Sequence, residues 1–432
     1  MENLIKEFDK LVLSAQDARI PKWLKDLQMS GLSAFNKRGI PTVKDEEWKY
    51  TNLAPLKTNT FDLPTAYTIG KNTTFENYCD SDDLNMVFVN GQFSSDLSNC
   101  TKAPDGITVS TVSEAIADNP DQIRELLQKY SNTDEAPFIG LNQALAGDAG
   151  AYIRVAQSAT HKGVIHIIHV TNGQNIIYAP RTLIVLAQSS EITVLETHIA
   201  FDDELTYFSN ALTDVFLEEN ATVHYCKAQK ESTDAFHIGH TRIWQEANSN
   251  FDGFTLNAGG KLTRNNLDIV LNGEGADAIL HSLYSAYGNQ HVDNHTSVDH
   301  RVPNCTSNQL YKGILNENAR AVFNGKVFVR PIAQQTNSYQ LNKNLLLGNS
   351  CRVDTKPQLE ISADDVRCTH GATISQLDKD EMFYLQTRCI PQNIATRMLV
   401  HGFVNELFDT IKNEHIHDKV NKLMEPSFRV LG

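Results

Sequence analysis

Residues 164–198 read VIHIIHVTNGQNIIYAPRTLIVLAQSSEITVLETH, and three short β-branched runs stand out inside them: VIHIIHV (164–170), TLIVLA (182–187) and EITVLETH (191–198). Runs rich in Ile, Val and Thr fit a pleated, half-buried surface, and short ones bounded by turn formers read as strands. The same texture, repeatedly cut by Asn, Gly and Asp, continues from Ala151 to Leu377 without a stretch of helical periodicity. Turn signals fall at Asn257–Gly260, Asn272-Gly273, Asn324-Gly325 and Gly348-Asn349, leaving strands about five to eight residues long between them. A sandwich, a barrel or a β-solenoid would suit this cadence. Length favours the solenoid, because each rung contacts only its neighbours and rungs can be added indefinitely. No exact internal repeat is legible by eye, which a solenoid often shows.

Outward from this core the pattern becomes helical on both sides. MENLIKEFDKLVLSA (1–15) mixes charged and apolar residues as an amphipathic helix does, and lacks the uninterrupted apolar core of a secretion signal. Ile20–Lys37 has helical periodicity that stops at Gly39 and Pro41. A strand at Met86–Val89, closed by Asn90-Gly91, precedes a helix expected from Val112 to about Tyr130. Beyond the core, Asp378 and Glu381 have the spacing of a capping box for a short helix ending near Arg388, and Pro391 suits the first turn of a second. That second helix carries Ala395, Leu399, Phe403, Leu407 and Ile411 at four-residue spacing, with Met398, Val400, Val404 and Phe408 widening the stripe. A helix so apolar has two surfaces to cover, one on its own domain and a second on that domain or on a partner. Ser427–Leu431 reads as a final edge strand. The chain therefore divides into a helical and mixed region (1–150), a β core (151–377) and a helical C-terminal region (378–432).

Composition narrows the function. The 38 Lys and Arg against 52 Asp and Glu give a formal charge of −14, which argues against a nucleic-acid binder. No apolar run approaches the roughly 18 to 20 residues that span a bilayer, so the expected location is the cytoplasm and no membrane partner is expected. Seven scattered cysteines with no CxxC pair fit neither a disulfide framework nor a zinc ribbon. No P-loop, GxGxxG, GxSxG or HExxH motif occurs, so ATP hydrolysis would have to come from a partner.

Two clusters could carry chemistry. In His291–His300 (HVDNHTSVDH), a strand would put His291, Asp293 and His295 on one face, where they could bind a divalent metal or form a polar ladder on the outside of a solenoid; the ladder is the preferred reading. His300, on the opposite parity, reads as an isolated hydrogen-bonding residue. In Asp364–Thr373 (DDVRCTHGAT), Cys368 and His370 share one side of an extended strand. Two ligands make a poor site alone, and a partner chain would have to supply the rest.

Ordered blocks along the chain resemble the SufB/SufD family of the SUF iron–sulfur cluster assembly system, on its SufD branch. They are GIPTVKDEEWKYTN (39–52), YKGIL (311–315), VFNGK (322–326), AQQT (333–336), NLLL (344–347), TKPQLEISADDVRCTHGAT (355–373) and FYLQTRCIP (383–391). The resemblance implies a right-handed parallel β-helix core flanked by N-terminal and C-terminal helical regions, in a non-catalytic scaffold subunit. It further implies a SufB-like homologous subunit and a SufC-like ATPase as partners. His370 would stand at the interface with the SufB-like subunit, beside Cys368, where it would meet a transient iron–sulfur cluster or iron. No cofactor would be held tightly by the isolated chain, which would be a monomer or a homodimer. Phe383, Tyr384, Leu385, Arg388, Ile390, Pro391, Met398, Leu399 and Phe403 would face the ATPase. Two departures are Cys389, where the family usually has Gly before Ile/Leu-Pro, and Cys351, where a small residue is usual. The alternatives are a carbohydrate-active β-helix enzyme, which would be expected to be secreted, and a stand-alone metal-binding protein built on His291–His300.

Overall fold

A computed structural model describes residues 8–12, 20–65, 78–100, 103–129, 136–145 and 150–431. Most of the amphipathic 1–15 segment lies outside these residues; 8–12 are helical, with Phe8 and Val12 buried.

The core is a parallel β-solenoid whose two faces are ten-stranded sheets. The first sheet stacks β1 (Leu84–Val89), β5 (Thr160–Thr171), β8 (Glu191–Ala200), β10 (Thr222–Lys230), β12 (Asn250–Asn257), β14 (Asp277–Ala286), β16 (Thr306–Leu315), β18 (Asn337–Leu346) and β20 (Arg367–Gln376), with β2 (Gln92–Phe93) hairpinned onto β1. The second stacks β3 (Ile107–Thr111), β4 (Ala151–Val155), β7 (Arg181–Leu186), β9 (Tyr207–Leu217), β11 (Phe236–Gln245), β13 (Leu262–Leu271), β15 (His291–His300), β17 (Arg320–Val329) and β19 (Arg352–Ile361), with β6 (Ile176–Tyr178) beside β9. The chain alternates between sheets, so each rung repeats the last: Thr222 lies beside Asn250, Asn250 beside Asp277, Asp277 beside Thr306 and Thr306 beside Asn337.

This register exposes a repeat that the letters alone conceal. Ser158, Ser189, Asn220, Asn248, Asn304 and Gln335 all turn one corner with positive φ, and Gly275 holds the equivalent place. The amides of the six non-glycine residues donate to a carbonyl of the next rung, as Ser189 does to Glu219 and Asn248 to Glu274. A small or short residue follows each: Ala159, Ser190, Ala221, Ser249, Ala276, Cys305 and Thr336. Asn and Gly tolerate the left-handed region at little strain, and only a small side chain fits the corner behind it.

Inward positions alternate along every strand. One side of the lumen, running along the rungs, is apolar, built from Ile165, Ile167, Val194, Val223, Phe251, Val298 and Phe323. The other side is polar, with His169, Glu196, His198, Gln229, His237, Asn257, Asn342 and Asn344 all buried. The strands are longer than expected, ten residues in several rungs, because outward polar side chains interrupt the apolar run without interrupting the ladder. Asn324-Gly325 is accordingly not a turn: both lie within β17, where Gly325 leaves room for the inward side chain of Gln340.

Helices pack on the outer faces of both sheets: α1 (Lys22–Arg38), α2 (Ala54–Lys57), α3 (Val112–Asp118), α4 (Pro120–Lys129) and α5 (Pro137–Leu145) on the second, α7 (Gln392–Phe408) and α8 (Glu414–Leu431) on the first, with α6 (Lys379–Thr387) leading into α7. The single helix expected from Val112 is broken in two at Asn119-Pro120, since Pro starts a helix but cannot continue one. Ser427–Leu431 is the end of α8 and not an edge strand: Ile416, Val420, Leu423 and Met424 dock on the sheet at helical spacing, and propagating a docked helix is cheaper than starting an isolated strand.

Candidate functional site: an open solenoid end and an exposed helix pair

β19 and β20 are the last strands of their sheets, with no further strand partner among the described residues. Cys368 and His370 lie in register with Ser338 and Gln340, both buried in the rung below. They thus occupy lumen-facing positions of a rung that no further strand covers among the described residues. Cys368 is half-buried against the core, and burial pushes its thiol above the usual range, the Ser338 backbone opposing. His370 is exposed. Ile361 and Ile374, at 41% and 48% exposure, complete an apolar rim. A sheet edge that keeps apolar side chains and unpaired backbone groups in water is a template for another sheet.

The second surface is the helix pair. Asp378 caps α6 by accepting hydrogen bonds from the amides of Asp380 and Glu381. No residue of α6 is buried; Phe383 and Tyr384 are 67% and 57% exposed, and Arg388 stands over the Tyr384 ring. The turn that follows places Cys389 at φ 62°, the left-handed geometry that favours Gly. Ile390 is half-buried and Pro391 exposed. α7 resolves its excess of apolar residues by splitting them between two flanks. Ala395, Val400, Val404, Leu407 and Phe408 are buried, the last four within the cluster that covers the outer face of the first sheet. Met398 and Ile394, at 48% and 38% exposure, remain in solvent, as do Phe383 and Tyr384. Leu385 and Leu399 are half-buried and line a shallow groove with Tyr384. Phe403 is held inward by the Lys312 ammonium, which lies 4.8 Å from its ring and donates to its carbonyl at 2.6 Å.

The His291–His300 cluster has a different role. His291, Asp293 and His295 do share the outer face of β15, but the Arg264 guanidinium lies 2.8 Å from Asp293 and fills the place a cation would take. His295 Nε2 lies 3.0 Å from the other Asp293 oxygen. Residues 46–51 close over the cluster. Glu47 reaches Lys326 at 2.6 Å and its carbonyl accepts from Arg264 at 2.7 Å; Trp48 lies 3.8 Å from the Arg264 guanidinium; Thr51 donates to Asp293 at 2.5 Å. A hydrogen bond from His295, with Lys326, holds the Glu47 carboxyl down at about 2 against partial burial. The cluster is a lock between the N-terminal segment and the core, and the stand-alone metal-binding reading fails here. His300, as expected, is isolated and buried, with Nε2 2.9 Å from Ser307 Oγ. Cys351 is a corner residue whose thiol meets the carbonyl of Gly348 at 3.1 Å.

A stacked parallel solenoid with docked terminal helices defines the fold class. The chain belongs to the SufB/SufD family of the SUF system. Residues 169–403 match the family model described as SUF system FeS cluster assembly, SufBD core domain, and residues 4–167 match the SufBD protein N-terminal region. It is 30% identical to the iron–sulfur cluster assembly protein SufD of Escherichia coli K12, over 97% of this chain and 95% of that protein. It is also 34% identical to an iron–sulfur cluster assembly SufBD family protein of Synechocystis sp., over 86% of this chain and 84% of that one. A chloroplastic Arabidopsis thaliana protein, ABCI7, is 28% identical over 88% of the chain. Membership in this family sets aside the carbohydrate-active alternative.

Proposed function

We propose that this chain is a non-catalytic scaffold subunit that pairs through its open solenoid end with a SufB-like homologous subunit and binds a SufC-like ATPase through α6 and α7. The observation that carries the reading is the uncapped last rung, where Cys368 and His370 occupy lumen positions yet remain accessible. A homologous solenoid can continue both sheets there, as parallel strands do between rungs within this chain. His370 then meets iron or a nascent cluster, the cargo of the assembly, whose remaining ligands come from the partner. Iron accepts imidazole nitrogen readily. No iron–sulfur cluster is held permanently at this open end, and in isolation the same edge supports a homodimer. The outward apolar flank formed by Phe383, Tyr384 and Met398 is the surface on which nucleotide-driven motion of the ATPase would act, since a switch requires contacts that differ between its two states. Action in the cytoplasm accords with this reading; the chloroplastic plant relative shows that family members are not confined there.

Co-purification with the two partners tests this. A chain truncated at Asp378 should lose the ATPase and keep the SufB-like subunit. His370→Ala should keep both and lose cluster formation, followed by the visible absorption of the reconstituted cluster. Wild-type cluster yield from the His370→Ala complex, or ATPase retention by the truncated chain, would overturn the assignment.

A further inference from the structure

The polar side of the lumen contains a group of side chains that no partner-binding role uses. His169 on β5 and His198 on β8 are neighbours in adjacent rungs, their rings stacked with centroids 4.6 Å apart. His237 comes from β11 on the opposite sheet, its ring 5.1 Å from that of His198 and nearly perpendicular to it. Glu196 on β8 and Glu231 just after β10 join them, and all five are at most 1% exposed. The ligand atoms of His169, Glu196 and His198 lie within 4.8 Å of one another, as do those of His198, Glu231 and His237.

From this arrangement we infer that the lumen holds a site for a single divalent first-row transition-metal ion, centred on His198. Three further observations support it. First, the carboxylates are aimed. Glu196 Oε2 accepts hydrogen bonds from Thr213 at 2.9 Å and Tyr225 at 2.7 Å, which leaves Oε1 turned toward His198 Nε2 at 3.1 Å and His169 Nε2 at 3.8 Å. Outer contacts of this kind are what orient a metal ligand. Second, several polar atoms of the group have no hydrogen-bond partner: both nitrogens of His169, Nδ1 of His198, Nε2 of His237 and Oε1 of Glu231, although the great majority of buried polar atoms in proteins do have one. Third, two carboxylates, Glu196 and Glu231, are buried in one group of side chains with the ammonium of a single buried lysine, Lys227. Gly239 preserves the space: a side chain there would come within 2.7 Å of His237 Nε2 and 2.9 Å of Lys227 Nζ.

The donors are imidazole and carboxylate with no thiolate, a set that suits Fe(II), Zn(II), Co(II) or Mn(II) better than Cu(I). Metal–ligand bonds of about 2.0 to 2.2 Å let ligand atoms sit up to roughly 4.4 Å apart, so the observed spread closes with small side-chain rotations. His198 belongs to both triads, so one ion engages the Glu196 or the Glu231 side. Because the site is enclosed, the ion enters before the rungs close.

The experiment is refolding of the full chain from denaturant with Co(II) present, followed by a chelator wash, metal analysis and the visible and X-ray absorption spectra of the retained ion. Wild type should retain a single Co(II) per chain with imidazole nitrogen in its coordination sphere, and far less when Co(II) is added to the already folded chain. His198→Gln should abolish retention and one of Glu196→Gln and Glu231→Gln should do the same, whereas His370→Ala should leave it unchanged, which separates this site from the proposed cluster interface. Where Glu196→Gln abolishes retention, Tyr225→Phe, one step removed, should weaken it by roughly tenfold or more. A wild-type chain that retains no Co(II), or one whose spectrum lacks imidazole coordination, overturns the inference even where a variant fails to fold. A folded His198→Gln chain with undiminished retention does the same.

Discussion

Arg264 shows how much one residue can decide. It lies buried between Asp293 and Trp48, and its guanidinium is the reason a run of His and Asp became a structural lock. Removing it would strand a buried carboxylate. Loss of one member of a buried ion pair costs about 3 to 5 kcal/mol, so Arg264→Ala should lower the urea midpoint strongly. The pH dependence follows from Asp293. Burial pushes its pKa up, but Arg264 and His295 outweigh that and hold it below the ordinary value. A depressed carboxylate contributes stability above its unfolded pKa, about 3.9, and loses it as pH falls further. Without Arg264 the burial penalty is opposed less, so the acid unfolding midpoint should move to higher pH; a titration followed by circular dichroism reads this directly. The triad His291, Asp293 and His295 was visible as a motif in the sequence. Its meaning was not, because Glu47, Trp48 and Thr51 arrive from more than two hundred residues away.

Helix α7 shows the same limit among the elements. Its sequence says only that it is too apolar for one contact face. The fold assigns Val400, Val404, Leu407 and Phe408 to the sheet and leaves Met398 outward. The two flanks should therefore respond differently to mutation. Leu407→Ala opens a cavity and should destabilise by ~2–5 kcal/mol. Met398→Asp should leave the melting temperature within a degree or so of wild type, since exposed substitutions away from such features are usually within about 0.5 kcal/mol, and should reduce capture of the ATPase partner. A melting temperature that drops as far for Met398→Asp as for Leu407→Ala would show that this flank is not free. The lumenal polar group could have been suspected from one strand. In EITVLETH, Ile192 and Val194 share their parity with Glu196 and His198, so two ionisable side chains point the same way as two core residues. That anomaly is readable, but its partners His169, Glu231 and His237 lie on other rungs with no fixed spacing.

For the whole molecule, the two sheets end on unpaired strands. Apart from β1 and β4, whose outer neighbours β2 and β3 run antiparallel, each interior strand has two parallel neighbours, while β19 and β20 have one each among the described residues. Backbone amides of Arg352–Ile361 and Arg367–Gln376 should therefore exchange faster with deuterium than those of β15 or β16 in the isolated chain. Addition of a SufB-like subunit should slow exchange in these two strands more than anywhere in the first rungs. Unchanged exchange there in a formed complex would place the interface elsewhere.

By itself, the sequence determined that the middle of the chain is a stack of short strands between helical ends, since β-branched runs, turn residues and helical stripes are local properties. It also carried the family, through ordered blocks such as TKPQLEISADDVRCTHGAT. The corner repeat of Ser158, Ser189, Asn220 and Asn248 was present in the letters too, but its variable spacing hid it until the register aligned the rungs. Only the tertiary structure decided which polar side chains face the lumen, which end of the solenoid stays open, and which flank of α7 is left uncovered. Those are outcomes of stacking, in which residues about thirty positions apart become neighbours, and no local spacing encodes which of them will meet.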